Sequence, residues 1–132
     1  RQEIVRLLLD THLLLWAAAS SKRLPGAART LLEDAANEVF FSAASIWEIA
    51  IKSSLGRTDF RIDLAALRSA LPRMGLTELP VSAAHAIGVT KLPAIHRDPF
   101  DRLLIAQSIA EPLTLLTNDA LLARYWDGVR VV

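Results

Sequence analysis

A short stretch near the start of the chain decides the fold: IVRLLLDTH, residues 4–12. Residues 4–9 form a mostly apolar run, which predicts a buried parallel strand. The run ends at Asp10, so this carboxylate is expected at the carboxyl end of the strand. Open α/β sheets bind their ligands at that end, which makes Asp10 a candidate catalytic acid. The alternative is that Asp10 only caps the helix that follows.

The rest of the chain alternates between predicted helices and strands. This alternation indicates βαβ units, and therefore an α/β fold with a mainly parallel sheet of about five strands. No linker or repeat divides the sequence, so a single domain over residues 1–132 is expected. Strands are predicted at 4–9, 38–41, 77–79, 113–116 and 129–132, and helices at 13–19, 27–35, 43–54, 64–74, 83–88, 99–111 and 120–125.

Composition limits the class of protein. Apolar residues make up 52% and charged residues 22% of the 132, which is typical of a packed domain and not of a disordered chain. Cysteine is absent, which excludes disulfides and thiolate chemistry and favours a cytoplasmic location. No apolar run approaches the ~20 residues of a membrane span. The net charge of +1 does not by itself indicate nucleic-acid binding, although Lys52, Arg57 and Arg61 lie close together.

Several carboxylates fall at comparable places near the ends of predicted elements. Such a group suits Mg²⁺ or Mn²⁺, which prefer oxygen ligands, and a bound cation would relieve the repulsion between like charges. We therefore predict that Asp10, Glu48, Asp101 and Asp119 are catalytic and that Asp10, Asp101 and Asp119 bind the metal. The expected reaction is hydrolysis of RNA phosphodiester bonds.

Each of these acids also has a purely structural interpretation. Glu48 could be an exposed helix residue paired with Lys52 four positions later. Asp98, a possible additional ligand, precedes Pro99 and could be only an N-cap. Asp119 could cap a helix that begins at residue 120.

Hydroxyl and amide side chains beside the acids are candidates for orienting them. Thr11, Thr117 and Asn118 are predicted to donate hydrogen bonds to the carboxylates. The three histidines, His12, His85 and His96, lack a helical zinc-binding spacing.

The histidine and tryptophan side chains allow two further interpretations. A metal-free reaction using His12 and His96 as acid and base is one alternative. Trp16 and Trp47 are expected in the core, although they could instead stack on nucleic-acid bases.

Four segments, taken together and in this order, resemble the PIN domain, and more narrowly the VapC-type toxins of bacterial toxin–antitoxin pairs. The segments are LLLDTH at 7–12, SAASIWEIA at 42–50, HRDPFDRLLIA at 96–106 and LTND at 116–119.

The resemblance implies an α/β/α sandwich with sheet order 3-2-1-4-5 and an Mg²⁺- or Mn²⁺-dependent endoribonuclease. Asp10, Glu48 and Asp101 match the three core acids of the family, Asp119 matches a fourth, and Asp98 matches a neighbouring acid. It further implies a homodimer held inactive by a cognate antitoxin protein whose C-terminal segment covers the site. The alternative is a non-catalytic module of the same fold that binds RNA or protein.

Overall fold

A computed structural model describes residues 4–132, in which a five-stranded sheet lies between two layers of helices. All strand pairs are parallel, and the sheet order is β3-β2-β1-β4-β5, which confirms the predicted fold class. The predicted domain begins three residues before the described range. The strands are β1 Arg6–Leu9, β2 Glu38–Ser42, β3 Leu76–Leu79, β4 Thr114–Thr117 and β5 Val129–Val131.

Six α-helices connect the strands within the described part of the chain. Four of them begin at short polar side chains for which the sequence predicts an N-cap: Ser42, Asp63, Ser82 and Asp98 each accept a hydrogen bond from a backbone N–H of the first turn. The helices are α1 Thr11–Ala18, α2 Gly26–Glu33, α3 Ala43–Ser54, α4 Leu64–Arg73, α5 Ala83–Gly88 and α6 Pro99–Ala110.

The two-residue period of the strands builds two cores, one on each face of the sheet. Leu7 and Leu9 point to the face covered by α1 to α4, and Leu8 points to the face covered by α6. On the neighbouring strand, Leu116 joins the first core and Leu115 the second. Because both faces of β1 are buried, its three leucines are fully inaccessible to water.

Some details differ from the sequence predictions. Helix α1 begins at Thr11, not at residue 13, because Asp10 itself is the N-cap. The helix predicted at 120–125 is a 3₁₀ helix, Ala120–Arg124. The prediction that Trp47 lies in the core is wrong, since this side chain is 58% exposed, whereas Trp16 packs against the core as expected.

The sheet order fixes where a site can form. Strand β1 lies between β2 and β4; the connection from β1 to β2 covers one face of the sheet, and the connection from β3 to β4 covers the other. Leu9 is paired with Phe41 on one side and Leu116 on the other, so all three strands end at the same edge. This is the switch point at which open α/β sheets bind ligands. Among residues 4–132, no helix has both the length and the apolar composition needed to cross a bilayer.

Candidate active site

Asp10 occupies the centre of the switch point and is held from two sides. Its backbone N–H continues the sheet by donating to the Leu116 carbonyl at 3.0 Å. Its Oδ1 accepts from the Leu13 N–H at 2.8 Å, and its Oδ2 accepts from the Thr117 hydroxyl. Burial is the largest effect on this carboxyl and raises its pKa, although both hydrogen bonds act in the opposite direction. Asp10 therefore combines the two interpretations that the sequence left open, since it caps α1 and also faces the site.

Glu48 projects from α3 into the same region and is only 3% exposed. Its Oε1 accepts from the Thr11 hydroxyl at 2.6 Å, and its Oε2 accepts from Lys52 one turn along the helix. The Ser45 hydroxyl lies 2.9 Å from that of Thr11 and extends the network. The structural alternative is thus half right: the pair with Lys52 exists, but the carboxylate is buried and not on the surface.

Lys52 carries a positive charge into the group of acids. Its Nζ also lies 3.6 Å from Asp98 Oδ2. Burial disfavours the charged amine, but the hydrogen bond with Glu48 and the surrounding carboxylates outweigh it and raise the pKa of Lys52. Lys52 therefore stays charged and compensates part of the negative charge.

Asp98 and Asp101 sit on the first turn of α6 and have different surroundings. Asp98 Oδ1 accepts from the N–H groups of Phe100 and Asp101, at 2.8 and 3.3 Å, so the predicted cap is present. Among residues 4–132, no hydrogen-bond donor is recorded on the Asp101 carboxylate, and its nearest basic group is His96, with Nε2 at 3.5 Å.

Asp119 follows β4 and lies on the other side of the site. Its Oδ1 accepts from the Leu121 N–H at 3.0 Å, and its own N–H donates to Thr117 Oγ1 at 3.0 Å. The buried Thr117 hydroxyl therefore connects Asp10 with the backbone of Asp119. Asn118 is exposed and donates no recorded side-chain hydrogen bond to these acids in the described residues.

One group of three side chains in residues 4–132 has the geometry of a metal site. Ligand atoms of His96, Asp101 and Asp119 all lie within 4.8 Å of one another. Asp10 and Glu48 are close enough to influence Asp101 electrostatically but are not members of this group. The carboxylate oxygens are the donors that Mg²⁺ and Mn²⁺ prefer, so the chemistry of the set fits such an ion.

The hydrogen bonds of His96 indicate a supporting role in this group. The Asp98 N–H donates to His96 Nδ1 at 3.0 Å, which places the proton of the neutral ring on Nε2. That Nε2 lies 3.3 Å from Asp119 Oδ2 and 3.5 Å from Asp101 Oδ2. A protonated nitrogen has no lone pair for a metal ion, so in this arrangement the carboxylates, and not His96, would be the ligands of an ion.

Asp101 shows most clearly that the predicted acids converge. Burial and then the negative charge of four neighbouring carboxylates raise its pKa to about 7. A cation bound here would relieve that repulsion. The four neighbours, in order of effect, are Asp98, Glu48, Asp10 and Asp119.

The sequence does not reveal where two residues lie. It suggests His96 only as a partner of His12 in a metal-free reaction, and Lys52 only as a partner of Glu48 or as part of a basic group with Arg57 and Arg61. The signal for His96 was its position two residues before a helix cap, where a side chain can accept from the cap's backbone N–H. Trp47, expected in the core, instead lies beside the site with its ring 5.2 Å from the Phe100 ring.

Comparisons with known proteins agree with the fold. The family model described as "PIN domain" matches residues 7–126. No curated protein is similar enough in sequence to count as a match.

Several solved structures resemble the chain. A chain of VapBC2 from Rickettsia felis, bound to a DNA fragment from their promoter, matches with a TM-score of 0.66 and 18% identity, covering 97% of this chain and 98% of that one. A chain of DNA-bound VapBC from Salmonella typhimurium matches with a TM-score of 0.65 and 18% identity, covering 98% of each. A domain of a functionally unknown protein from Methanocaldococcus jannaschii DSM 2661 matches with a TM-score of 0.59 and 11% identity, covering 97% and 91%. At these identities the likeness shows the fold alone.

Proposed function

The chain belongs to the PIN domain family, and we propose that it is an endoribonuclease that depends on Mg²⁺ or Mn²⁺. One observation carries the proposal: Asp101 and Asp119, with His96 between them, bring ligand atoms within 4.8 Å of one another at the switch point of the sheet. Asp10, Glu48 and Asp98 surround this group and concentrate negative charge there. Such a concentration of carboxylates is costly unless a cation binds among them.

Each residue of the site has a role in this proposal. When bound, the metal would supply a Lewis acid that stabilises charge developing on the phosphodiester and makes water more acidic. Asp101 and Asp119 would hold the cation, and Asp10 would complete the site from the neighbouring strand. Thr117 and Thr11 fix the rotamers of Asp10 and Glu48 through their hydroxyl groups.

We further propose that the enzyme is the toxin of a type II toxin–antitoxin pair. The motif resemblance to VapC-type proteins and the fold likeness to chains of two VapBC structures support this assignment. It implies a cognate antitoxin protein as partner, a homodimer as the functional unit and the cytoplasm as the place of action.

A cleavage assay with isosteric variants tests the enzymatic proposal. The parent protein should cleave single-stranded RNA in the presence of Mg²⁺ or Mn²⁺ and stop when EDTA is added. Asp101→Asn and Asp119→Asn should each lower the rate more than about 100-fold, because a ligand should matter at least as much as the residues that orient it. Glu33→Gln is the matched control, since Glu33 is an exposed acid on α2 with no recorded ion pair in residues 4–132.

Two results would contradict the proposal. If Asp101→Asn and Asp119→Asn cleave RNA at the parent rate, these two carboxylates are not required for catalysis. RNA binding without cleavage in any metal would favour the non-catalytic module instead.

A further inference from the structure

We propose that a cavity beside the acid cluster binds one nucleotide of the RNA, with its phosphate on Arg23 and Arg61 and its base against Trp16. The proposal rests on the proposed function, because it assumes an RNA substrate. The cavity has a volume of about 350 Å³ and lies between α1, the loop after it and the segment before α4. Its lining includes His12, Trp16, Arg23, Asp59 and Arg61.

The charges of the cavity suit an anion. Arg23 and Arg61 are exposed, and no carboxylate within residues 4–132 forms a recorded ion pair with either guanidinium group. Asp59 is the acid of the lining, but its carboxylate accepts from Arg57 Nε and Nη2, at 3.2 and 3.1 Å. Asp59 Oδ2 also lies 3.9 Å from His12 Nε2. Because Arg57 compensates the charge of Asp59, Arg23 and Arg61 leave the cavity positive. Guanidinium groups bind phosphate oxygens with two parallel hydrogen bonds.

The aromatic side of the cavity suits a base. Trp16 is partly exposed, and its ring lies 5.8 Å from that of His12, with the two planes tilted by 47°. Successive aromatic rings beside positive charge form the usual platform for single-stranded nucleic acid, because every base has a π-face. Trp16 can therefore stack on the base of a nucleotide while the arginines bind its phosphate.

The buried Phe60 ring lies between the cavity and the proposed catalytic site, in contact with a residue of each. The His12 ring lies 5.3 Å from the buried Phe60 ring, in an edge-on contact. Lys52 Nζ lies 4.9 Å from the centre of that same ring and is hydrogen-bonded to Glu48. His12 also follows Asp10 by two residues on the first turn of α1. The cavity and the acids are thus separated by one layer of side chains, so we expect one RNA strand to reach both.

The chemistry of the lining favours a nucleotide over an apolar protein segment. An apolar helix seated in the cavity would bury Arg23 and Arg61 without partners, which is costly for a charged group. A nucleotide supplies an anion for the arginines and a ring for Trp16 at the same time.

RNA binding in the Asp101→Asn background tests the proposal without interference from cleavage. The probe is a labelled single-stranded RNA of about ten nucleotides, which falls within the usual site sizes, followed by fluorescence anisotropy at several salt concentrations. Arg23→Ala with Arg61→Ala should weaken binding by about tenfold or more and lower the magnitude of the salt slope by about 0.7, the value for one phosphate contact. The matched control, Arg29→Ala with Arg73→Ala, removes two exposed arginines outside the cavity and should have a much smaller effect.

Trp16 gives a second, independent measurement. Trp16→Leu keeps an apolar side chain against the core but removes the ring, and it should weaken binding by about 5- to 100-fold. Trp16→Phe keeps a ring and should restore most of the affinity. In the protein that retains Asp101, the double substitution Arg23→Ala with Arg61→Ala should raise the KM for RNA with little change in kcat.

The outcomes separate this proposal from the proposed function. If the parent cleaves RNA but the cavity and control variants bind equally, the cavity proposal fails while the function stands, and a protein segment becomes the expected occupant. If the parent does not cleave but binding depends on Arg23, Arg61 and Trp16, the function fails and the cavity proposal stands. If the parent neither cleaves nor binds RNA, both fail.

Discussion

The five acids of the site differ in how many hydrogen bonds their carboxylates accept. Asp10 and Glu48 each accept from a threonine hydroxyl and from one further donor, and Asp98 accepts from the backbone of α6. Asp101 has no recorded donor on its carboxylate within residues 4–132, apart from the nearby imidazole of His96. The repulsion among the acids therefore destabilises the charged form of Asp101 the most. This is the position where a bound cation would change the energetics most.

The stability of the metal-free protein should fall as the pH rises from about 4 to about 7. The pKa of Asp101 is about 7 in the native state and 3.8 when unfolded, so the native state binds more protons in this window. The unfolding free energy then decreases with increasing pH, and the loss is complete above pH about 7. Asp10, whose pKa is also raised, acts in the same direction.

Asp101→Asn should remove most of that dependence. In EDTA at pH about 8, the variant should be more stable than the parent by up to ~4 kcal/mol, the equivalent of the pKa difference. Urea unfolding at pH about 5 and about 8 measures this. If parent and variant lose the same unfolding free energy between these two pH values, Asp101 is not the source of the pH dependence.

Thr117 should matter for activity through Asp10 and Asp119. Thr117→Val keeps the shape of the side chain but removes the donor to Asp10 and the acceptor for the Asp119 N–H. We expect a loss of about 10- to 100-fold in metal affinity or cleavage rate, and rescue by Thr117→Ser, which keeps the hydroxyl. Calorimetric titration with Mn²⁺ and the cleavage assay provide the two readouts. Equal behaviour of the valine and serine variants would exclude an orienting role.

At the scale of the elements, helix starts could be predicted and helix faces could not. The caps Ser42, Asp63 and Asp98 were recognisable because a short polar side chain precedes an apolar periodic run. Helix α3 is apolar on several sides, so hydropathy alone did not tell which face is buried. In the folded chain Glu48 points inwards and accepts a hydrogen bond from Thr11 of α1. The adjacent Trp47 therefore points outwards.

The cap of α6 allows the two roles of Asp98 to be separated. Asp98→Asn keeps a good N-cap and removes only the charge, whereas Asp98→Ala removes both. The alanine variant should lose about 1 kcal/mol of unfolding free energy, and the asparagine variant much less. If Asp98 only caps, Asp98→Asn should cleave RNA at close to the parent rate, measured in the same Mg²⁺ assay. A large loss of cleavage in Asp98→Asn, with stability intact, would instead make it part of the metal site.

At the scale of the whole molecule, the fold could be predicted further than the site. The alternation of strands and helices predicts the parallel sheet, and the resemblance to the PIN domain implies its strand order, which the structure confirms. The convergence of Asp10 with Asp119 follows from that order, because β1 and β4 are neighbours. The position of His96 was not predictable in this way. It lies in a loop without periodicity, and its role depends on a hydrogen bond to the Asp98 backbone that only the folded chain creates.

The anomalous diffraction of a crystal soaked with Mn²⁺ tests directly whether these carboxylates bind a metal. We predict a manganese peak between the carboxylates of Asp101 and Asp119, close to Asp10, with His96 beside them. A peak at another place in the fold, or no peak between these carboxylates at a manganese concentration that supports RNA cleavage, would contradict it.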